Sequence, residues 1–235
     1  MTIECNLLIS LLKLTKEGPA LIESVKDDDR LPSTTTLKLL KRMQSEGLVY
    51  LEQNAVKVES DSRLKIAVKA VSLGADVELV SKLLCWQEFE EIAAVALRNN
   101  GYVVSTNVRF KHGGHRWEID VVGCKKPSVI CIDCKHWQHA IAPSTLKRIV
   151  EAQVERTIAL CDLLPNRTLS LECSRWSSAK FFPAILSLMP SAMKFYDRVP
   201  IVPILQVQDF ISQLPVYAES LRFFYKKFSS LSHNL

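Results

Sequence analysis

Two stretches decide how this chain of 235 residues is read: Trp117-Glu118-Ile119-Asp120-Val121-Val122-Gly123 and Val129-Ile130-Cys131-Ile132-Asp133-Cys134-Lys135. Each is a short run of β-branched and apolar residues, and the Lys125-Lys126-Pro127 turn between them makes them neighbouring strands. Side chains i and i+2 share a strand face, so Cys131, Asp133 and Lys135 are expected on one side, with Ile130, Ile132 and Cys134 turned to the core. An Asp beside a Lys at the end of an apolar strand, with Asp120 on the strand before, is costly to desolvate unless something uses the charge. A hard divalent cation is such a user: it takes carboxylate oxygens from Asp120 and Asp133, the backbone carbonyl of Cys134, and waters. The Lys135 ammonium can then orient or help deprotonate an attacking water while the metal stabilises charge growing on a phosphate.

Outward from these strands the order of elements is helix, strand, hairpin, strand, helix. Phe89, Ile92, Ala93, Ala96 and Leu97 make one apolar helix face that stops at Asn99-Asn100-Gly101. Tyr102-Val103-Val104 opens an extended stretch, and Lys111-His112-Gly113-Gly114-His115 is a turn. Leu146 to Leu163 reads as an amphipathic helix carrying Lys147, Arg148 and Arg156. Residues 164–197 give no clear pattern, and Ser229–Leu235 reads as a frayed end.

At these residues the chain resembles the PD-(D/E)xK nuclease superfamily, and within it Mrr-like restriction endonucleases and archaeal-type Holliday-junction resolvases. Glu90 on the helix, eleven residues before the Gly101-Tyr102 pair, Asp120 at the strand, and Asp133-Cys134-Lys135 thirteen residues later carry the likeness. The resemblance implies a restriction-endonuclease-like αβββαβ core with a mixed sheet over residues 86–235. It implies catalytic roles for Glu90, Asp120, Asp133 and Lys135, and Mg²⁺ or Mn²⁺ held by Glu90, Asp120, Asp133 and Cys134. Ile119 replaces the name-giving Pro, and Gln153 is followed by Thr157 where some relatives carry Tyr. Arg198 to Ile204, with a helix from about Asp209, resembles the last strand and helix of such enzymes.

The first sixty residues read differently. Leu7, Leu8, Leu11, Leu12 and Leu14 give a helical stripe, and a second helix is expected over about Ala20–Val25, broken by Asp27-Asp28-Asp29-Arg30. Ser33 is placed to cap a third helix with Leu37, Leu40 and Met43 inward, closed by Gly47. A hairpin over Leu48–Leu51 and Ala55–Val58 follows. Three helices and a hairpin resemble a winged helix-turn-helix domain over 1–60, which implies DNA contacts from Thr34, Thr35, Lys38, Lys41 and Arg42. Residues 61–85 read as a connector of two helices, the second capped by Asp76, packing the two domains together.

Composition sets the frame. Forty-eight per cent hydrophobic and 23% charged residues exclude disorder, and only seven Gly with long Leu, Ala, Lys and Glu stretches favour α/β over all-β. Thirty Lys and Arg against 25 Asp and Glu give +5, which permits a polyanionic partner. Seven cysteines, odd in number and set in apolar runs, read as reduced thiols of a cytoplasmic protein, and no apolar run is long enough to span a membrane. A zinc site from His112-x-x-His115, His136-x-x-His139 and Cys131-x-x-Cys134 is opposed by strand geometry, because residues three apart point to opposite faces. Trp137 is a candidate base-stacking residue. The expected activity is metal-dependent DNA cleavage in restriction or repair by a homodimer; the alternative is a non-catalytic DNA-binding regulator.

Overall fold

The computed structural model describes residues 2–29, 31–135, 141–166, 168–187, 191 and 193–228. His136, Trp137, His139 and Ser229–Leu235, named above, lie outside that set. The chain divides into two compact units, Met1–Glu88 and Phe89–Leu235.

Unit 1 runs α1 (Ile3–Leu14), β1 (Ala20–Leu21), α2 (Ile22–Asp29), α3 (Ser33–Ser45), β2 (Tyr50–Glu52), β3 (Ala55–Lys57), α4 (Ser60–Ser72) and α5 (Val77–Leu83). Its sheet is antiparallel in the order β1-β3-β2. Leu7, Leu8, Leu11 and Leu12 of α1 are fully buried, with Leu40 and Met43 of α3, as the leucine stripe requires. The structure departs from expectation at four points. Ala20–Leu21 is a strand, not the start of a helix. The Asp run ends α2 instead of breaking it, because Asp28 accepts from Ser10 Oγ at 2.7 Å and pairs with Lys13, while Asp29 accepts from Leu31 N–H and Thr36 Oγ1. Ser33 is the first helical residue of α3, after a Pro32 cap that makes no side-chain bond. Helices α4 and α5 belong to the same unit as the first sixty residues. Asp76 caps α5 by accepting from Leu79 N–H at 2.8 Å.

One buried cation organises this unit. Arg63 on α4 donates to Leu12 O and Thr15 Oγ1 past the end of α1, to Leu83 O at the end of α5, and forms an ion pair with Glu88. Both side chains are almost wholly buried. Glu88 uses its second oxygen to accept from Cys85 N–H at 2.7 Å. The pair is fully hydrogen-bonded, the condition under which buried charges are tolerated.

Unit 2 is built on α6 (Trp86–Asn99), β4 (Val103–His112), β5 (His115–Lys125), β6 (Ser128–Lys135), α7 (Pro143–Leu163), β7 (Ser178–Ser187), β8 (Phe195–Tyr196), β9 (Val199–Pro203), α8 (Val207–Tyr217) and β10 (Phe224–Lys227). Its seven-stranded sheet is mixed: β4-β5-β6-β7-β9-β8, with β10 also on β7. β5 runs antiparallel to both of its neighbours, β4 and β6, whereas β6, β7 and β9 are parallel. Helix α7 covers one face, Leu160 packing with Val129 and Cys131. α6 and α8 cover the other, Phe89, Leu97 and Ile211 packing with Ile130, Ile132 and Cys134.

The central strand β7 occupies the region that sequence pattern left blank. It is buried on both faces, so its run Ala179-Lys180-Phe181-Phe182-Pro183-Ala184-Ile185-Leu186 does not alternate. Lys180 N–H donates to Pro127 O on the β6 side, so by alternation Pro183 nitrogen faces the opposite edge. That edge pairs with β10 at Ser178–Phe181 and with β9 at Ile185–Ser187, leaving Pro183 in the gap between them. A residue without an N–H is tolerated there.

Gly101 (φ +77°) closes α6, Tyr102 N–H reaching back to Leu97 O. Gly123 on β5 sets how closely α6 approaches the sheet: a Cβ there would lie 2.8 Å from Leu97 Cδ2, and Leu97 is fully buried. Gly123→Ala is therefore expected to lower stability by ~1–3 kcal/mol through overpacking, read as a fall in Tm. Glu88→Ala, which strands the Arg63 charge, is expected to cost about 3–5 kcal/mol by denaturant titration.

Candidate active site

The β5–β6 ladder ends at the pair Val121↔Ile132, one residue short of Asp120 and Asp133. The β4–β5 ladder is interrupted at the same level: Thr106↔Val121 and Val108↔Ile119 pair on either side of Asn107 and Asp120. Asn107 adopts φ +51°, a conformation Asn tolerates better than most residues. Val121 packs on the α6 face and Ile119 on the α7 face, although residues two apart on a regular strand share a face. The regular alternation expected for Trp117–Gly123 thus slips at Asp120, which is left with its carboxylate between two diverging strands.

That carboxylate takes the place of the missing ladder partner. Asp120 Oδ2 accepts from the Cys134 backbone N–H at 2.7 Å. Asp133, 3% exposed, is held by two cations: Arg156 Nη1 of α7 at 2.8 Å from Oδ1 and Lys135 Nζ at 2.7 Å from Oδ2. Gln153, one turn before Arg156 on α7, is completely buried and donates Nε2 to Cys131 O at 2.7 Å. Thr157 Oγ1 donates to Gln153 O. These contacts fix α7 against β6 from Cys131 to Asp133.

The three acids near the start of α6 have separate duties. Glu88, the last residue of unit 1, is bound to Arg63 of that same unit, and Glu91 pairs with Arg98 at 2.6 Å on the surface. Glu90 is buried and its charge acts on Asp120. Burial pushes the Asp120 carboxyl up to about 6; the Cys134 N–H opposes this, repulsion from Asp133 adds to it, Lys135 opposes it, and Glu90 adds to it. Glu90, Asp120, Asp133 and Lys135 therefore share one electrostatic neighbourhood, with negative charge left under-compensated at Asp120. Burial, and the same three acids, push the Cys134 thiol well up.

Arg156, expected only as one of three basic residues on an amphipathic helix, is drawn into the site by Asp133. Its approach to Asp133 depends on how α7 crosses β6, and only the 153–156–157 spacing on one helix face hinted at it. Cys131 and Cys134 lie in cores on opposite sheet faces and cannot grip one ion. Among the described residues no group of three or more His, Cys, Asp and Glu side chains is arranged to hold a metal.

The residues proposed for DNA contact lie on α3. Thr34, Lys38 and Lys41 are exposed and Thr35 is half-buried. Arg42 is engaged, its guanidinium 2.5 Å from Glu4 Oε1 and 3.4 Å from Glu46 Oε1, and Lys69 pairs with the same two acids. The hydrogen bond from Arg42 pulls the Glu4 carboxyl down despite its burial.

A carboxyl raised in the folded state retains a proton that the unfolded chain gives up near 3.8, so stability falls as pH climbs from about 4 to about 6. In metal-free buffer Asp120→Asn, which removes the charge and keeps an acceptor oxygen, is expected to raise stability at pH 7.5 by about 1–2 kcal/mol. Near pH 4 the two proteins should melt together; the same difference at both pH values would contradict this origin.

No curated protein matches the chain. Among solved structures, protein VC1899 from Vibrio cholerae is 14% identical over 92% of this chain and 52% of that one, with a TM-score of 0.37. The protein of unknown function AF1548 is 17% identical over 42% of this chain and 46% of that one, with a TM-score of 0.28. The chain spans about half the length of each, and neither likeness is close enough to argue from. No helix among the described residues is long and apolar enough to cross a membrane. The stretch that holds the acids, residues 86–161, matches the model of the nuclease-related domain family, NERD.

Proposed function

We propose that unit 2 is a Mg²⁺- or Mn²⁺-dependent endodeoxyribonuclease that hydrolyses phosphodiester bonds in restriction or repair. The observation that carries this reading is the acid cluster where the β5–β6 ladder stops, inside the stretch that matches a nuclease-related family. The donor set is all hard oxygen, and the Asp120 carboxyl, raised by burial and then by repulsion from Asp133 and Glu90, marks a place where a cation would stabilise the carboxylate. Asp120 and Asp133, with the Cys134 carbonyl and Glu90, would hold the ion. When bound, it supplies Lewis-acid stabilisation of charge on the scissile phosphate and eases deprotonation of water. Lys135 orients the attacking water and faces the developing charge. Arg156 is a positioning residue, keeping Asp133 aimed.

Unit 1 is proposed as a winged helix that docks on DNA through Thr34, Thr35, Lys38 and Lys41. The order α1-β1-α2-α3-β2-β3 supports this. Arg42 is the weakest of the proposed contacts because Glu4 and Glu46 already hold it. Cutting both strands would call for two copies related by a two-fold axis. The second reading, a non-catalytic DNA-binding regulator, is favoured by one feature: both oxygens of Asp133 already face cations in ion pairs, Oδ1 with Arg156 and Oδ2 with Lys135.

Purified protein with supercoiled plasmid and Mg²⁺ or Mn²⁺ separates the two. Nicking is expected, lost by ~100-fold or more in Asp120→Ala and Lys135→Ala. Absence of nicking by the wild type, or equal nicking by Asp120→Ala, removes the enzyme and leaves the regulator.

A further inference from the structure

The β4–β5 hairpin continues beyond the level of Asp120, where β6 no longer pairs with it. Its tip turns on Gly113 and Gly114, both with positive φ, which is the two-residue turn that suits a twisted hairpin. His112 and His115 face each other across the turn, and Lys111 faces Arg116 in the next pair. One face of this arm is rooted: Val108, Phe110 and Ile119 are buried in the core, and Trp117, packed against that core, donates Nε1 to His112 O at 3.1 Å. The arm is therefore held in place by packing.

Its other face presents Arg109, Lys111, Arg116 and Glu118, all exposed. Arg109 and Glu118 neutralise each other at 3.0 Å. Lys111 and Arg116 stand directly opposite one another, and among the described residues neither has an acidic partner. Like charges in a cross-strand pair destabilise a hairpin, so this arrangement is uncompensated in the protein alone. A depression of about 340 Å³ at the hairpin is lined by these four residues with Phe110 and Trp117.

We propose that this hairpin face is a second nucleic-acid contact, a finger whose Lys111 and Arg116 bind successive phosphates of the backbone whose cleavage is proposed above. The inference rests on that reading for its substrate and adds the element that would hold it. From His115 to Asp120 is five residues of strand, ~17 Å at the rise of an extended chain, enough to follow two or three phosphates away from the acids. Charge complementarity selects a polyanion, and a rigid hairpin with a rooted face pays little ordering entropy on binding.

The test is equilibrium binding of the full chain to a fluorescent 20-base-pair DNA in EDTA at several salt concentrations, where no cleavage occurs. Lys111→Gln/Arg116→Gln is expected to bind at least ~10-fold more weakly, with a log Kd versus log salt slope smaller by about 2. Its Tm should be equal or higher, and its hydrolysis of bis-p-nitrophenyl phosphate with Mn²⁺ unchanged. Wild-type affinity and slope in the variant overturn the finger. Displacement of the DNA by polyglutamate at equal charge concentration also overturns it, because it would make the occupant any acidic chain. Weakened binding by the variant in a wild type that never nicks DNA keeps the finger and removes the nuclease.

Discussion

A carboxylate that stands in for a missing strand partner is the constraint on which the candidate site depends. β5 and β6 stop pairing at Val121↔Ile132, and the Cys134 N–H that the ladder no longer satisfies is taken by Asp120. Buried N–H groups are rarely left unpaired, so the Asp120 side chain is held in place by the backbone of the neighbouring strand. Asp133 is fixed in turn from above by Arg156 and along its own strand by Lys135. The acids are pre-positioned by hydrogen bonds that any polypeptide needs, and the electrostatic cost appears in the raised Asp120 carboxyl.

The rest of unit 2 keeps that arrangement rigid. Gln153 and Arg156 lock α7 to β6 on one face. On the other, the missing side chain at Gly123 lets α6 settle onto β5, and α6 carries Glu90 toward the same neighbourhood. In unit 1 Arg63 plays an equivalent part, satisfying carbonyls at the ends of two helices while Glu88 balances its charge.

Much of this was legible in the residues. Period-two runs placed β5 and β6, and helical stripes placed α1, α6 and α7. The thirteen-residue interval from Asp120 to Asp133 matched a hairpin. What escaped did so for physical reasons. Strand β1 has only two residues, too few for periodicity. β7 is apolar on both faces and contains Pro183, so it shows neither alternation nor an unbroken strand signal. The Asp27–Asp29 run looked like a break because its partners Ser10, Lys13 and Thr36 lie on other helices. The acidic partners of Arg63 and Arg156 are 25 and 23 residues away and follow from packing, which no local pattern encodes.

The proline in β7 divides that strand into two functional zones. Below it, Ser178–Phe181 anchors the C-terminal strand; above it, Ile185–Ser187 meets β9 while its opposite edge backs Asp133 and Lys135. Because Pro183 has no N–H to donate, the two zones are separated along that edge: β10 is stitched to the foot of the sheet and the acids sit at its crown.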